Sequence, residues 1–162
     1  MIRPALPTDC AAIAAFWNPV IRDTMVTFNS VEKTEEELRE TLASKARDGH
    51  PFLVAEEEGR LLGFATYGQF RGGVGYAHTM EHTIILAPEA RGRGLGRALM
   101  AAIEDFGRAR GVHSMIGGVS GANPPGIAFH AAVGYAQVAV LPEVGFKAGQ
   151  WLDLVLMQKL LT

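Results

Sequence analysis

The most constraining stretch of this 162-residue chain is Arg91-Gly92-Arg93-Gly94-Leu95-Gly96, set between an apolar β-branched run and an amphipathic segment. Upstream, Thr79 to Ala87 contains Thr83-Ile84-Ile85-Leu86 and reads as a strand, which Pro88 helps to end. Downstream, Leu95, Leu99, Ile103 and Phe106 share one helical face between Gly94 and Arg110, and Gly111 stands where a C-terminal cap is expected. A helix start exposes unpaired N–H groups and the positive end of the helix dipole, so such a turn attracts anions. Glycines keep side chains from holding a diphosphate off the backbone. Arg91, Arg93 and Arg97 add three cations where the helix end is already positive, an unfavourable placement unless an anion binds. The bland alternative is a glycine-rich turn with solvated arginines.

The remaining segments alternate in kind. Met1 to Arg3 reads as a short strand, and Thr8-Asp9 caps a helix with Ile13, Phe16, Trp17, Val20 and Ile21 at helical spacing. Thr34 and Glu37 form a capping box for a second helix. Pro51 to Glu57 and Arg60 to Tyr67 flank the turn Glu58-Gly59, a hairpin signal. His113 to Val119 reads as a strand and Pro124 to Val133 as a short helix. Tyr135 to Val140 and Leu152 to Lys159 read as two last strands. The expected fold is α/β, one mixed, largely antiparallel sheet flanked by helices, in a single domain over 1–162.

Composition narrows the function classes. A chain with 48% hydrophobic and 20% charged residues is not disordered by composition. Its formal net charge of -2 supplies no global attraction to nucleic acid or an anionic membrane. Cys10 is the only cysteine, which rules out an intrachain disulfide and a thiolate zinc site. There is neither a signal-peptide pattern nor an apolar run of ~20 residues, so a cytoplasmic location without membrane or nucleic-acid partners is expected.

A Gly-Lys-Ser/Thr ending is absent, and Arg97 stands where a dinucleotide fingerprint needs glycine. The pattern that fits is R-x-x-G-x-G, using Arg91, Gly94 and Gly96. It resembles the pyrophosphate loop of the GCN5-related N-acetyltransferases (GNAT), and the order of elements matches that superfamily over nearly the whole chain. Within it the sequence resembles the phosphinothricin and methionine sulfoximine N-acetyltransferases. The resemblance rests on Tyr76 to Thr83, on Asn123-x6-His130-x3-Gly134-Tyr135, and on the tail Gly145-Phe146-Lys147 to Trp151-x-Asp153. Gly126 stands where Ser or Ala is common, and Ala77 where relatives carry a basic or aromatic residue.

The resemblance implies a GNAT-like sheet, acetyl-CoA as cosubstrate without a metal, a small-molecule amine as acceptor, and a homodimer. It places the cofactor on the backbone of Ile84, Ile85 and Leu86, on residues Arg91, Gly92, Arg93, Gly94, Leu95, Gly96 and Arg97, and on Asn123. It also casts Glu81 as the base that takes the amine proton and His130 as the acid that returns one to sulfur, since acyl transfer from a thioester moves both protons. The alternative for Glu81 is a surface carboxylate on a strand edge, and for His130 a structurally bonded helix histidine. Phe28, Arg71, Tyr76, Lys147 and Trp151 fall in stretches matching the acceptor site, where Arg71 or Lys147 would hold an acid group. The acceptor implied is a small amino acid or analogue. Another amine, such as a protein N-terminus, and a non-catalytic acyl-CoA sensor are the alternatives. His78-Thr79-Met80-Glu81-His82 also spells H-x-x-E-H, but that zinc motif needs a helix, and on a strand its histidines would stand ~13 Å apart.

Overall fold

The computed structural model describes residues 1–162. In chain order it contains β1 (Ile2–Pro4), α1 (Cys10–Asp23), α2 (Glu35–Asp48), β2 (Phe52–Glu57), β3 (Arg60–Gln69), β4 (Thr79–Leu86), α3 (Leu95–Arg108), β5 (Ser114–Ser120), α4 (Pro124–Ala132), β6 (Ala136–Lys147) and β7 (Gln150–Leu160). The strands form one seven-stranded sheet in the order β1-β2-β3-β4-β5-β7-β6. Only β4 and β5 run parallel; every other neighbouring pair is antiparallel.

The period-2 alternation of the strands sorts side chains onto two faces. Leu53, Ala65, Tyr67, Met80, Met115, Val155 and Met157 point to one, where Leu95, Leu99, Met100 and Ile103 of α3 cover them. Phe52, Val54 and Phe64 point to the other, against Ile13 and Phe16 of α1 and Leu38 of α2. Leu99 and Ile103 are wholly buried, each contributing about 1.5–3 kcal/mol relative to exposure. The helix ends explain themselves chemically. Thr34 Oγ1 accepts from the Glu37 N–H while Glu37 Oε2 accepts from the Thr34 N–H, the expected capping box. Gly111, at φ +80°, closes α3 as expected, with the Val112 N–H reaching back to Gly107 O at 3.0 Å.

Two expectations need correction. Asp9 does not cap α1 with its side chain, because a tight turn over Pro7–Asp9 leads straight into the helix. Its carboxylate instead points back, accepting from the Leu6 N–H at 2.7 Å and from Arg3 at 2.8 and 3.0 Å. The last two strands are also longer than their alternation suggested. Register shifts between Gln137/Ala139 and Leu141/Gly145 absorb extra residues of β6, Pro142 among them, so the Gly145–Asp153 signature is the hairpin itself. No helix is long and apolar enough to cross a membrane.

Candidate active site

β4 and β5 pair only from Thr79↔Ser114 to His82↔Gly117. Beyond that point β4 stays with β3 as far as Leu86↔Gly63, and β5 stays with β7 as far as Ser120↔Leu154. The sheet therefore forks, and one backbone edge of β4 is left unpaired. Hydrogen bonding alternates along an antiparallel strand. The bonds Phe70 N–H to Thr79 O and Ala87 N–H to Leu62 O put the odd-numbered residues of β4 on the β3 side. Ile84 and Leu86 thus turn their N–H and C=O groups into the fork. Ile85 turns its backbone to Phe64 and its side chain to the α1 face, so of the three expected backbone contacts it drops out.

Gly92 (φ +75°) and Gly94 (φ +80°) adopt the left-handed conformation that coils the chain into α3. Gly94 is the N-cap residue and has no side chain to satisfy the first amides of α3, which stay available. Arg91, Arg93 and Arg97 are exposed around them. Arg93 is ion-paired with Glu57, Arg97 makes only a 3.4 Å bond to Ala132 O, and Arg91 has no carboxylate partner. At Gly96 a Cβ would come within 3.1 Å of Phe129 Cε1 and 3.2 Å of Leu86 Cδ1, so the first turn of α3 closes tightly on the fork. Arginine donors and free amides beside an open strand edge suit an extended ligand with a diphosphate at one end.

Glu81 and His130 lie on opposite faces of the sheet, at the point where it divides. Glu81 faces α1 and α2, solvent-exposed and without a hydrogen-bond or ion-pair partner. A Cβ on Gly118 would stand 2.8 Å from Glu81 Oε2, so the bare glycine leaves room for the carboxylate. The surrounding protein raises the Glu81 pKa above the usual 4.5 by desolvation. His130 faces the other way. Its Nδ1 lies 2.7 Å from Gly126 O, and its Nε2 lies 2.8 Å from Nε2 of His82. Burial lowers the pKa of His130, and burial together with the neighbouring His130 lowers that of His82 to about 3. The sequence contains His82 within the Tyr76–Thr83 stretch and the zinc motif, and neither assigns it a role in the site. That motif is not assembled, because His78 is turned to Gly111 O at 2.9 Å while His82 is buried on the neighbouring imidazole. Asn123 caps α4, its Oδ1 accepting from the Gly126 N–H at 3.1 Å.

The expected acceptor residues divide. Phe28, from the α1–α2 connection, lies over Gly145, where a Cβ would come within 2.7 Å of its ring. Lys147 is buried and donates to Thr27 O at 2.8 Å, with no carboxylate partner. Gly145, Lys147 and their β7 partners share the face of Glu81, since Val155 and Met157 of β7 belong to the opposite one. Arg71 sits over the ring of Tyr76 at 5.4 Å in the β3–β4 connection. Trp151 does not join them. It pairs with Phe146 across the hairpin, rings 4.7 Å apart, and one-residue alternation turns both away from Lys147 and into solvent, with Trp151 63% exposed.

Residues 17–135 match the acetyltransferase (GNAT) family. An L-methionine sulfoximine/L-methionine sulfone acetyltransferase of Salmonella typhimurium is 36% identical over 159 residues, covering 97% of this chain and 92% of that protein. A ribosomal-protein-alanine N-acetyltransferase from Brucella melitensis superposes with TM-score 0.95 at 39% identity, covering 99% of each chain. A GNAT phosphinothricin acetyltransferase from Sinorhizobium meliloti, solved in complex with acetyl-CoA, superposes with TM-score 0.93 at 32% identity, covering 99% of this chain and 87% of that one. With the forked sheet, the glycine–arginine turn and this similarity along its length, the chain belongs to the acetyltransferase (GNAT) family and is an N-acetyltransferase of that kind.

Proposed function

We propose that residues 1–162, acting as one domain, transfer an acetyl group from acetyl-CoA to the α-amine of a small amino acid or analogue. Methionine sulfoximine, methionine sulfone and phosphinothricin are the leading acceptors. One observation carries this reading: Glu81, Phe28 and a buried Lys147 without a carboxylate partner lie on the same face of the sheet. A lone ammonium there favours an acceptor bearing an acid group.

On the cofactor side, the free amides of α3 with Arg91, Arg93 and Arg97 would hold the diphosphate. The backbone of Ile84 and Leu86 would pair with the extended arm, and Asn123 would meet it at the start of α4. Acetyl-CoA supplies an acetyl thioester; the chain supplies orientation and proton handling. Glu81 accepts the amine proton, through water, as the N–C bond forms and the C–S bond breaks. The proton then passes to solvent, and the thiolate takes one in return. His130 can return that proton only after the pair with His82 has taken one up from solvent, against the burial that lowers both pKa values, because both of its ring nitrogens are engaged in the neutral state. Lys147, with Arg71 beside Tyr76, orients the acceptor's acid group. Phe146 and Trp151 belong to an exposed apolar hairpin at the sheet edge, which we assign to a homodimer contact.

The relative named for a ribosomal-protein alanine favours a second reading, acetylation of a protein N-terminus. Thiol release from acetyl-CoA, measured against amino acids, amino-acid analogues, polyamines and peptides, separates the two. Turnover with methionine sulfoximine, methionine sulfone or phosphinothricin is expected. Release with peptides alone would overturn the amino-acid assignment.

A further inference from the structure

The proton inventory at the fork singles out His82. Gly126 O can only accept, so at 2.7 Å the His130 Nδ1 must carry a hydrogen. In a neutral ring that leaves Nε2 of His130 as an acceptor, so the 2.8 Å contact between the two Nε2 atoms needs its hydrogen from His82. His82 is then the Nε2–H tautomer with a bare Nδ1. That nitrogen is the one buried side-chain polar atom in the chain without a hydrogen-bond partner. This count of protons accounts for both bonds and leaves Nδ1 bare, against the pull of the Ile116 backbone, which favours a proton on His82.

The rings are held by more than this bond. They stack at 5.0 Å and 22°, and both rest on Gly117, where a Cβ would lie 2.8 Å from His82 Cε1 and 3.1 Å from His130 Nε2. Tyr135 meets both edge-on at 5.4 and 5.5 Å, with its hydroxyl turned away to Glu104. His82 and Gly117 are the last paired residues before the strands separate. No other side chain is hydrogen-bonded to His130, so without His82 its Nε2 would lose its only partner.

We propose that His82 is a positioning residue: its Nε2–H orients His130, and through the His130–Gly126 bond it fixes the first turn of α4 at the mouth of the fork. This rests on the reading that His130 serves acetyl transfer. Glutamine can place an amide N–H where His82 Nε2–H stands, whereas phenylalanine fills the site without a donor.

The test combines kinetics of the full-length enzyme with nitrogen-15 NMR of its histidines. His82→Phe should lower kcat at least tenfold with the KM for acetyl-CoA within about twofold, and His82→Gln should keep kcat within about threefold of the parent. The spectrum should show His82 protonated on Nε2 and His130 on Nδ1. Unchanged kcat in His82→Phe, equal losses in His82→Phe and His82→Gln, or His82 protonated on Nδ1 would each overturn the proposal. Should His82→Phe fail to fold, His82→Gln and the spectrum still decide. His130→Phe separates the two levels. If it leaves kcat intact, the reading of His130 fails; if it lowers kcat while His82→Phe does not, only the inference about His82 fails.

Discussion

Glu81→Gln tests the proposed base directly. The carboxylate has no hydrogen-bond or ion-pair partner and lies over Gly118, so an amide of the same size breaks no contact and meets no new obstacle. The Arg91–Arg97 turn, on the far side of the fork, is untouched. What the substitution removes is proton acceptance, for which general-base catalysis contributes about 10²–10⁴-fold. At about 1.36 kcal/mol per tenfold, the barrier should rise by about 2.7–5.4 kcal/mol. Thiol release should fall accordingly, and the Kd for coenzyme A by calorimetry should stay constant. The pH dependence supplies a second signature. The active base is the carboxylate, and its pKa is raised above 4.5 by desolvation. Parent kcat/KM should therefore fall as pH drops through that raised value, and the variant should lack this limb. Stability should move the opposite way. A carboxyl whose folded pKa is raised favours the folded state below its unfolded pKa and disfavours it above the folded one. Glu81→Gln should accordingly melt higher than the parent at pH 7, the difference vanishing near pH 4. Full acetyl transfer with unchanged binding would refute the assignment of Glu81.

Arg91→Gln and Arg97→Gln should each weaken coenzyme A binding about tenfold, since hydrogen bonds to charged groups contribute about 1.5–3 kcal/mol. Arg93→Gln should weaken it less, because Glu57 already shares that guanidinium; calorimetry giving the reverse order would contradict this arrangement. Lys159→Met removes the 2.7 Å partner of Glu104, a carboxylate only 4% exposed that keeps Tyr135 and, at 3.7 Å, Arg108, so the low end of the buried-pair cost applies. Breaking such a pair costs about 3 kcal/mol. At about 2–4 °C per kcal/mol, calorimetric Tm should fall by roughly 6–12 °C, and a shift under 2 °C would show that Glu104 does not depend on Lys159. Replacing Phe146 and Trp151 together by serine should convert a homodimer to a monomer in sedimentation velocity, and a monomeric parent would refute the dimer.

Most elements were legible in the sequence because their signals are local. The Thr34–Glu37 box, the Glu58-Gly59 turn and the 3.6-residue spacing of Leu95, Leu99 and Ile103 each depend on neighbours within a few positions. Asp9 misled because an isolated Asp before a helix looks like a cap whatever its carboxylate meets, and here it meets Arg3. The direction of Trp151 was hidden for a related reason. Its place beside Lys147 in a signature says nothing of which face each occupies.

By itself the sequence determined the glycine–arginine turn and its junction between strand and helix, both properties of contiguous chain, while Glu81 and His130 were singled out through the family resemblance. Tertiary structure decided the rest. The fork exists because β4 leaves β5 after His82↔Gly117, a matter of pairing between segments over thirty residues apart. That divergence turns Ile84 but not Ile85 toward the opening, puts Glu81 and His130 on opposite faces, and brings His82 onto His130 across 48 positions. Side-chain direction follows from strand register, and register is set by which distant segments pair.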